Sequence, residues 1–378
     1  ATSPTRINNV KIFVLRCVMP CTLPDMRGIA GILRRDGGPV PQKWGKILEQ
    51  SLLFGGTLTF RFEDSTPIEH GDLHILLFSG SDALGSDPKV VDGDLKGECA
   101  YAMWNEETLE LELGRKGTGQ KSLYWLDLAE VGDGLLFSSN PLPLLTIARE
   151  LELPSSTLSQ GVEGYLQDGF VMEGGGLLAP LYSMPIQHKL ENAPTSTTAL
   201  SCDFTTTPAE DVQTLVRILG TPFANADLLS TLQLYRYAKE IGCPVVDGLI
   251  MPQSTGFLKR LFNSKQEEKQ MAIQRNASRR MELGAIANYT GVDLAISTQC
   301  NSIEPLSFPL ASWLRSSQSQ LGQLAGDTLH SSNAFGNLPI NQSECIKKLS
   351  AHQSGEKDNA QELFTLLTLA LWSQLVGA

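Results

Sequence analysis

The hydrophobic period of this chain changes once, and that change limits the folds open to it. Between residues 27 and 189 the apolar residues come in short runs, Leu73–Ser79, Cys99–Trp104, Leu109–Arg115, Leu123–Asp127 and Leu135–Ser138, separated by Gly, Asp, Ser and Pro. Runs of this length between turn-forming residues predict mainly antiparallel strands. Helical spacing is confined there to Pro41–Leu53, with Trp44, Ile47 and Leu48 at i, i+3 and i+4, and to Ser159–Asp168. Beyond a polar, Thr-rich, Pro-bounded stretch at 191–207 the period becomes that of a helix. Leu228, Leu232, Tyr235 and Ile241 lie on neighbouring faces of one helix, which Gly242 stops. A short buried strand is predicted over 243–251, followed by helices over 266–287, 307–329, 343–353 and 358–376. The fold class is therefore α+β: a sheet-rich domain over 26–190, a linker over 191–208, and a mainly helical domain over 209–378 that holds a fragment of α/β sheet. At 378 residues the chain has material for two such cores without metal or disulfide staples.

Charge and cysteine usage remove several classes of function. Thirty Lys and Arg stand against 41 Asp and Glu, a formal charge of −11, the wrong sign for neutralising many phosphates. No nucleic acid is expected as a partner. The seven cysteines, at 17, 21, 99, 202, 243, 300 and 345, are odd in number and form no C-x-x-C pair, so neither a disulfide framework nor a zinc ribbon is expected. His70 and His74 are four apart, but EHGDLHILL alternates as a strand does, so they share no helical face for a metal. His188, His330 and His352 are solitary. The longest apolar run, Leu363–Leu371, is too short to span a bilayer, so no transmembrane segment is expected.

The first 24 residues carry Arg6, Lys11 and Arg16 and no acid, a charge of +3 that leaves −14 for the remainder. A basic, acid-free start at Ala1 reads as the remainder of a processed organellar precursor, mitochondrial by preference, or as the loss of an initiator Met from a cytoplasmic chain. Residues 1–25 are expected to be a basic extension ahead of the fold that folds back onto its own acidic body or reaches a partner, with the apolar run Val10–Leu15 too hydrophobic to stay in water.

Three blocks resemble the glutamine-dependent asparagine synthetases, which join a class II glutaminase domain to an ATP-using synthetase domain. MRGIAGIL at 26–33 resembles the family's opening M-C-G-I-A-G-I. LKGECAYAMWNEETLELELGRKGTGQKSLYW at 95–125 and LLFSSNPLPLL at 135–145 are similar to G-E-F-A-F-A-L-W-D, A-R-D-R-F-G-I-K-P-L-Y-Y and L-L-F-A-S-E. LSQGVEGYLQDGFV at 158–171 and SMPIQHKL at 183–190 resemble the close of the glutaminase domain. In the second half, 221–248, 308–315 and 352–372 resemble the synthetase's helix and strand and its terminal helices. The resemblance implies an Ntn-type αββα sandwich at 26–190 and a truncated, mainly helical α/β synthetase-like domain at 209–378.

The resemblance also shows what is missing. In that family a free N-terminal Cys attacks the amide and its own amine serves as base. Arg27 occupies the nucleophile position, behind 26 residues, and Cys17 and Cys21 are internal. FSGSDAL at 78–84 lacks the Asn and Glu that would hold glutamine. Lys116 replaces the Asp of A-R-D, and Asn140 the Glu of A-S-E. About a hundred residues that should carry the ATP loop are absent, and Asp247 is the sole carboxylate where magnesium ligands belong. The expectation is no catalytic residue, no cofactor and no metal: a pseudoenzyme serving as an accessory or scaffold subunit, with other protein subunits as partners. The competing reading is an active glutamine-dependent asparagine synthetase, or a related ATP-dependent amidotransferase, with a rearranged site.

Overall fold

The computed structural model describes residues 11–16, 29–34, 41, 43–44, 47–48, 74–79, 90–91, 94–95, 99–105, 110–128, 134–153, 156–172, 176–179, 181–184, 207–242, 245–248, 265–292, 294–297 and 309–377. Along the chain the strands are β1 (Lys11–Arg16), β2 (Ile29–Arg34), β3 (His74–Ser79), β4 (Val90–Val91), β5 (Asp94–Leu95), β6 (Cys99–Asn105), β7 (Glu110–Lys116), β8 (Tyr124–Asp127), β9 (Gly134–Ser138), β10 (Ser156–Thr157), β11 (Leu178–Ala179), β12 (Leu181–Ser183), β13 (Val245–Gly248) and β14 (Leu294–Ser297). The helices are α1 (Pro141–Glu150), α2 (Ser159–Asp168), α3 (Pro208–Leu219), α4 (Asp227–Glu240), α5 (Lys265–Thr290), α6 (Leu310–Arg315), α7 (Gln320–His330), α8 (Gln342–Gln353) and α9 (Ala360–Val376). The chain is mixed α and β and divides into two compact units, 1–156 with 179–189, and 157–178 with 190–378.

In the first unit the antiparallel sheets are one of five strands in the order β1-β2-β9-β8-β12, one of three in the order β3-β6-β7, and the short pair β4-β5. Period two decides which side chains join them. Leu135 and Phe137 of β9, with Leu123 and Trp125 beside and on β8, cluster with Ala100 of β6 and with Leu111 and Leu113 of β7. Leu126 and Leu136 take the opposite parity and are fully buried, and α1 packs against β8, β9 and β12. Phe137 is paired with Gly31 across β2 and β9. A Cβ on residue 31 would stand 2.2 Å from the ring's Cζ, so glycine makes room for the aromatic ring.

Helix α1 lies outside the segments whose apolar spacing predicts a helix. Both prolines fall in the first turn, where backbone N–H groups have no intrahelical partner to lose, and Asn140 Oδ1 accepts the Leu142 N–H at 2.9 Å as the N-cap. Within the segment 1–25, Lys11–Arg16 folds back onto the chain and pairs antiparallel with β2 along its whole length, Lys11 opposite Arg34 and Arg16 opposite Ile29.

The second unit is mainly helical. Val212, Leu215 and Val216 of α3, Leu228, Leu229 and Leu232 of α4, and Leu363, Phe364 and Leu367 of α9 are buried, and α9 packs against α3, α6, α7 and α8. Most of its apolar surface is therefore covered, Leu375 near its end remaining exposed. Trp372 Nε1 donates to Gly220 O at 2.9 Å, just where Gly220 ends α3 at φ +67. Strands β13 and β14 pair in parallel, Val245 opposite Leu294, with α5 as the connection between them: the fragment of α/β sheet.

Residues 157–178, read from sequence as the close of the first domain, belong to the second unit. Tyr165 of α2 is fully buried there against Thr368 of α9. The single helix expected over 307–329 is broken into α6 and α7, because Ser319 caps the second: its Oγ accepts the Gly322 N–H at 2.9 Å and turns the chain.

Candidate functional site

Of the positions that carry the asparagine synthetase resemblance, Arg115 and Asn140 are held by structure-forming interactions. Arg115, at the Arg of A-R-D, is wholly buried. Its Nη1 donates to Met184 O and its Nη2 to Gly119 O, each at 2.7 Å, and its Nε donates to Lys121 O, so one guanidinium ties the end of β7 to two other stretches of backbone. Asn140, where the family has Glu, is the N-cap of α1. Lys116 ends β7 opposite Cys99. Asp247 is in β13 opposite Ile296. Arg27, Cys17, Cys21, His70, residues 80–84 of FSGSDAL and residues 191–206 of the linker lie outside the described residues. His352 is fully buried: Nε2 donates to Ala311 O at 2.9 Å and Nδ1 accepts the Asn359 N–H at 3.2 Å, which makes it a tie between α8 and its neighbours. Among the described residues no group of three His, Cys, Asp or Glu is placed to hold a metal ion, and no helix is long and apolar enough to cross a membrane.

The second unit contains a cleft of about 1020 Å³. Its walls come from the end of α2, from α5, from the start of α8 and from the first turns of α9. Sequence reasoning treated 266–287 only as a helix. The available signal was Arg275, Arg279 and Glu282 at i, i+4 and i+7, which places two cations and an acid on one helical face.

Burial sets the electrostatics of this cleft. The Arg275 guanidinium carbon lies 5.7 Å from the centre of the Phe170 ring. Arg279 Nη1 is 3.9 Å from Glu282 Oε2. The Glu282 carboxyl is pushed up to about 7, chiefly by burial, with Arg279 and the Ser278 hydroxyl pulling the other way. Burial likewise raises Asp227, opposed by Arg279, and raises the Cys345 thiol. Nearer the cleft mouth the charges pair with each other, Lys348 with Glu362 and Lys347 with Glu344 at 2.6 Å. A second buried network stands on α3 and α4, where Asp211 accepts Arg236 Nη1 at 2.6 Å and Gln233 Nε2 at 3.0 Å.

No protein-family model matches this chain, and no curated protein matches it.

Proposed function

We propose that this chain is a catalytically inactive relative of the asparagine synthetases that serves as an accessory or scaffold subunit of a larger assembly, in an organelle and by preference the mitochondrion. In this reading the first unit is an Ntn-type αββα sandwich. Two antiparallel sheets joined through Phe137, Leu113 and their neighbours, with α1 packed on the five-stranded sheet, support this reading.

The observation that carries the proposal is the contrast between Arg115 and Arg27. Arg115 has kept its place in its block and binds three backbone carbonyls from full burial. Arg27 stands where the same family needs a nucleophilic Cys. A side chain that holds the sheet together is present, whereas those that would do chemistry are replaced, as at Lys116 and Asn140. A fold persists after its chemistry is gone because packing and catalysis depend on different residues.

The test is the native mass of the protein isolated from its own source without overexpression. Migration far above 41.1 kDa together with other polypeptides in fixed ratio is expected. A lone monomer that turns over glutamine would overturn the proposal in favour of an active amidotransferase.

A further inference from the structure

One cation of the second unit's cleft has no acceptor. The guanidinium carbon of Arg275, a half-buried residue of α5, lies 5.7 Å from the centre of the Phe170 ring. Among the described residues Arg275 makes no hydrogen bond and no ion pair. The ring holds the group by its flat face and uses none of its N–H donors. Unlike Nε and Nη1 of Arg279, which are closed off from solvent, the nitrogens of Arg275 keep access to it, so an incoming acceptor can reach them.

The other charges of the cleft have partners. Lys348 pairs with Glu362 and Glu344 with Lys347, Asp168 is engaged, and Glu282 lies 3.9 Å from Arg279. Side-chain amides of the lining add neutral donors and acceptors. Asn276 uses neither its donor nor its acceptor among the described residues, and Gln361 uses only its Nε2, which donates to Ala224 O at 2.6 Å. Asn225 uses only its Oδ1, which accepts the Asp227 N–H at 3.0 Å. A carboxamide both donates and accepts, which matches a peptide group and not a simple anion. Leu166, which is 38% exposed, and half-buried Ile340 leave apolar surface on two walls. The volume, about 1020 Å³, stands at the upper limit of small-molecule sites, and the lining residues Pro339, Gln361 and Glu362 are exposed, so a chain can enter and leave.

We propose that this cleft docks an extended peptide segment of another protein, in which one Asp or Glu accepts from Arg275 and a neighbouring apolar side chain rests on Leu166 and Ile340. The backbone of that segment meets the unused amide atoms of Asn276, Gln361 and Asn225. A carboxylate matches the guanidinium fork, and the Phe170 ring holds that fork in place without competing for its donors. A single carboxylate is called for rather than an acidic tract, because Glu344 and Glu362 line the same cleft and repel further ones. The site lies within the second unit and does not depend on the accessory-subunit reading.

The experiment is selection from a randomised peptide library on the purified full chain, followed by fluorescence anisotropy with the enriched peptides. Those peptides are expected to share an Asp or Glu next to a Leu, Ile, Val or Phe, and changing that acid to its amide should weaken binding about tenfold or more. On Arg275→Met the acid and amide forms should bind alike, as they must if the carboxylate and this guanidinium are partners. Leu166→Glu, at an exposed position, should weaken the acid form by about tenfold and keeps the site testable should Arg275→Met not fold. Enriched peptides without a shared acid, an acid whose amide binds equally well, binding undiminished by either variant, or no saturable binder at all would overturn the proposal.

Discussion

The hydroxyl groups of Tyr165 and Thr368 meet 2.9 Å apart inside the second unit, joining α2 to the C-terminal helix across some two hundred residues of chain. Burial raises the Tyr165 phenol far above its ordinary range, so it stays neutral and acts as a hydrogen-bonding group only. Thr368 Oγ1 also reaches Phe223 O at 2.8 Å. Three pieces of backbone are thus fastened around one pair of hydroxyls.

Tyr165→Phe should lower the stability of the second unit by about 1 kcal/mol, since the ring stays and Thr368 keeps its bond to Phe223 O. Tyr165→Ala should cost about 3–5 kcal/mol by opening a ring-sized cavity. Urea unfolding followed through the fluorescence of buried Trp372 and its neighbours measures both, and similar losses for the two variants would refute this account.

Gly31→Ala places a Cβ into the Phe137 ring and should cost about 1–3 kcal/mol through overpacking. The smaller Phe137→Leu should make the alanine less costly, so a double-mutant cycle in the first unit should show positive coupling of about 0.5 kcal/mol or more. Strict additivity would mean that the ring and the glycine are not in contact.

Replacing Arg115 by Met removes three hydrogen bonds to the carbonyls of Gly119, Lys121 and Met184 at once. Because two of the three bonds are only part-buried, about 1–1.5 kcal/mol for each acceptor applies, and the first unit should lose on the order of 3–5 kcal/mol. Arg115→Lys should recover only part of this, because an ammonium group cannot span three diverging carbonyls. Thermal unfolding checks both variants; a loss confined to glutamine chemistry, with stability unchanged, would contradict the structural role.

The pH dependence of stability should carry the mark of Glu282. Its folded carboxyl keeps its proton up to about 7, against 4.5 for the ordinary group, so between these values the folded state binds more protons than the unfolded one. Stability therefore falls as pH rises through that window, by at most about 3 kcal/mol, and stays at the lower level above it. Glu282→Gln should flatten this part of the profile and be the more stable protein near pH 8, although Arg279 then loses its neighbouring charge. Arg279 and Ser278 on the same helix and Tyr165 of α2 are the groups that act on Glu282 or feel it. Urea midpoints across this range give the slope, and an unaltered slope in Glu282→Gln would assign the titration elsewhere.

Purified protein given glutamine should release no glutamate above background, and Arg27→Cys should not restore release, because 26 residues still precede the position and cap its amine. Hydrolysis that disappears on replacing Cys17 or Cys21 would show that another thiol has taken the role.

The amino-acid pattern alone determined much of the local structure. Strands at Cys99–Asn105, Glu110–Lys116 and Gly134–Ser138 and helices at Ser159–Asp168, Asp227–Glu240 and Ala360–Val376 lie within a residue or two of where the period of their apolar residues puts them. That period is a one-dimensional property, since a strand or helix buries whichever side chains return to the same face. What it leaves open is the partner of each face. Sequence neighbourhood assigns α2 to the strands before it, whereas the structure packs Tyr165 into helices that lie two hundred residues on. The same holds for Lys11–Arg16, whose apolar run calls for a covering surface that only the structure identifies as the edge of β2. The cleft belongs to this second kind of information. Arg275, Arg279 and Glu282 are legible as one face of a helix, but whether that face meets water, a carboxylate or an apolar wall is decided only when the helices assemble. There the geometry leaves Arg279 buried with two nitrogens unanswered, because the nearest carboxylate stops 3.9 Å short.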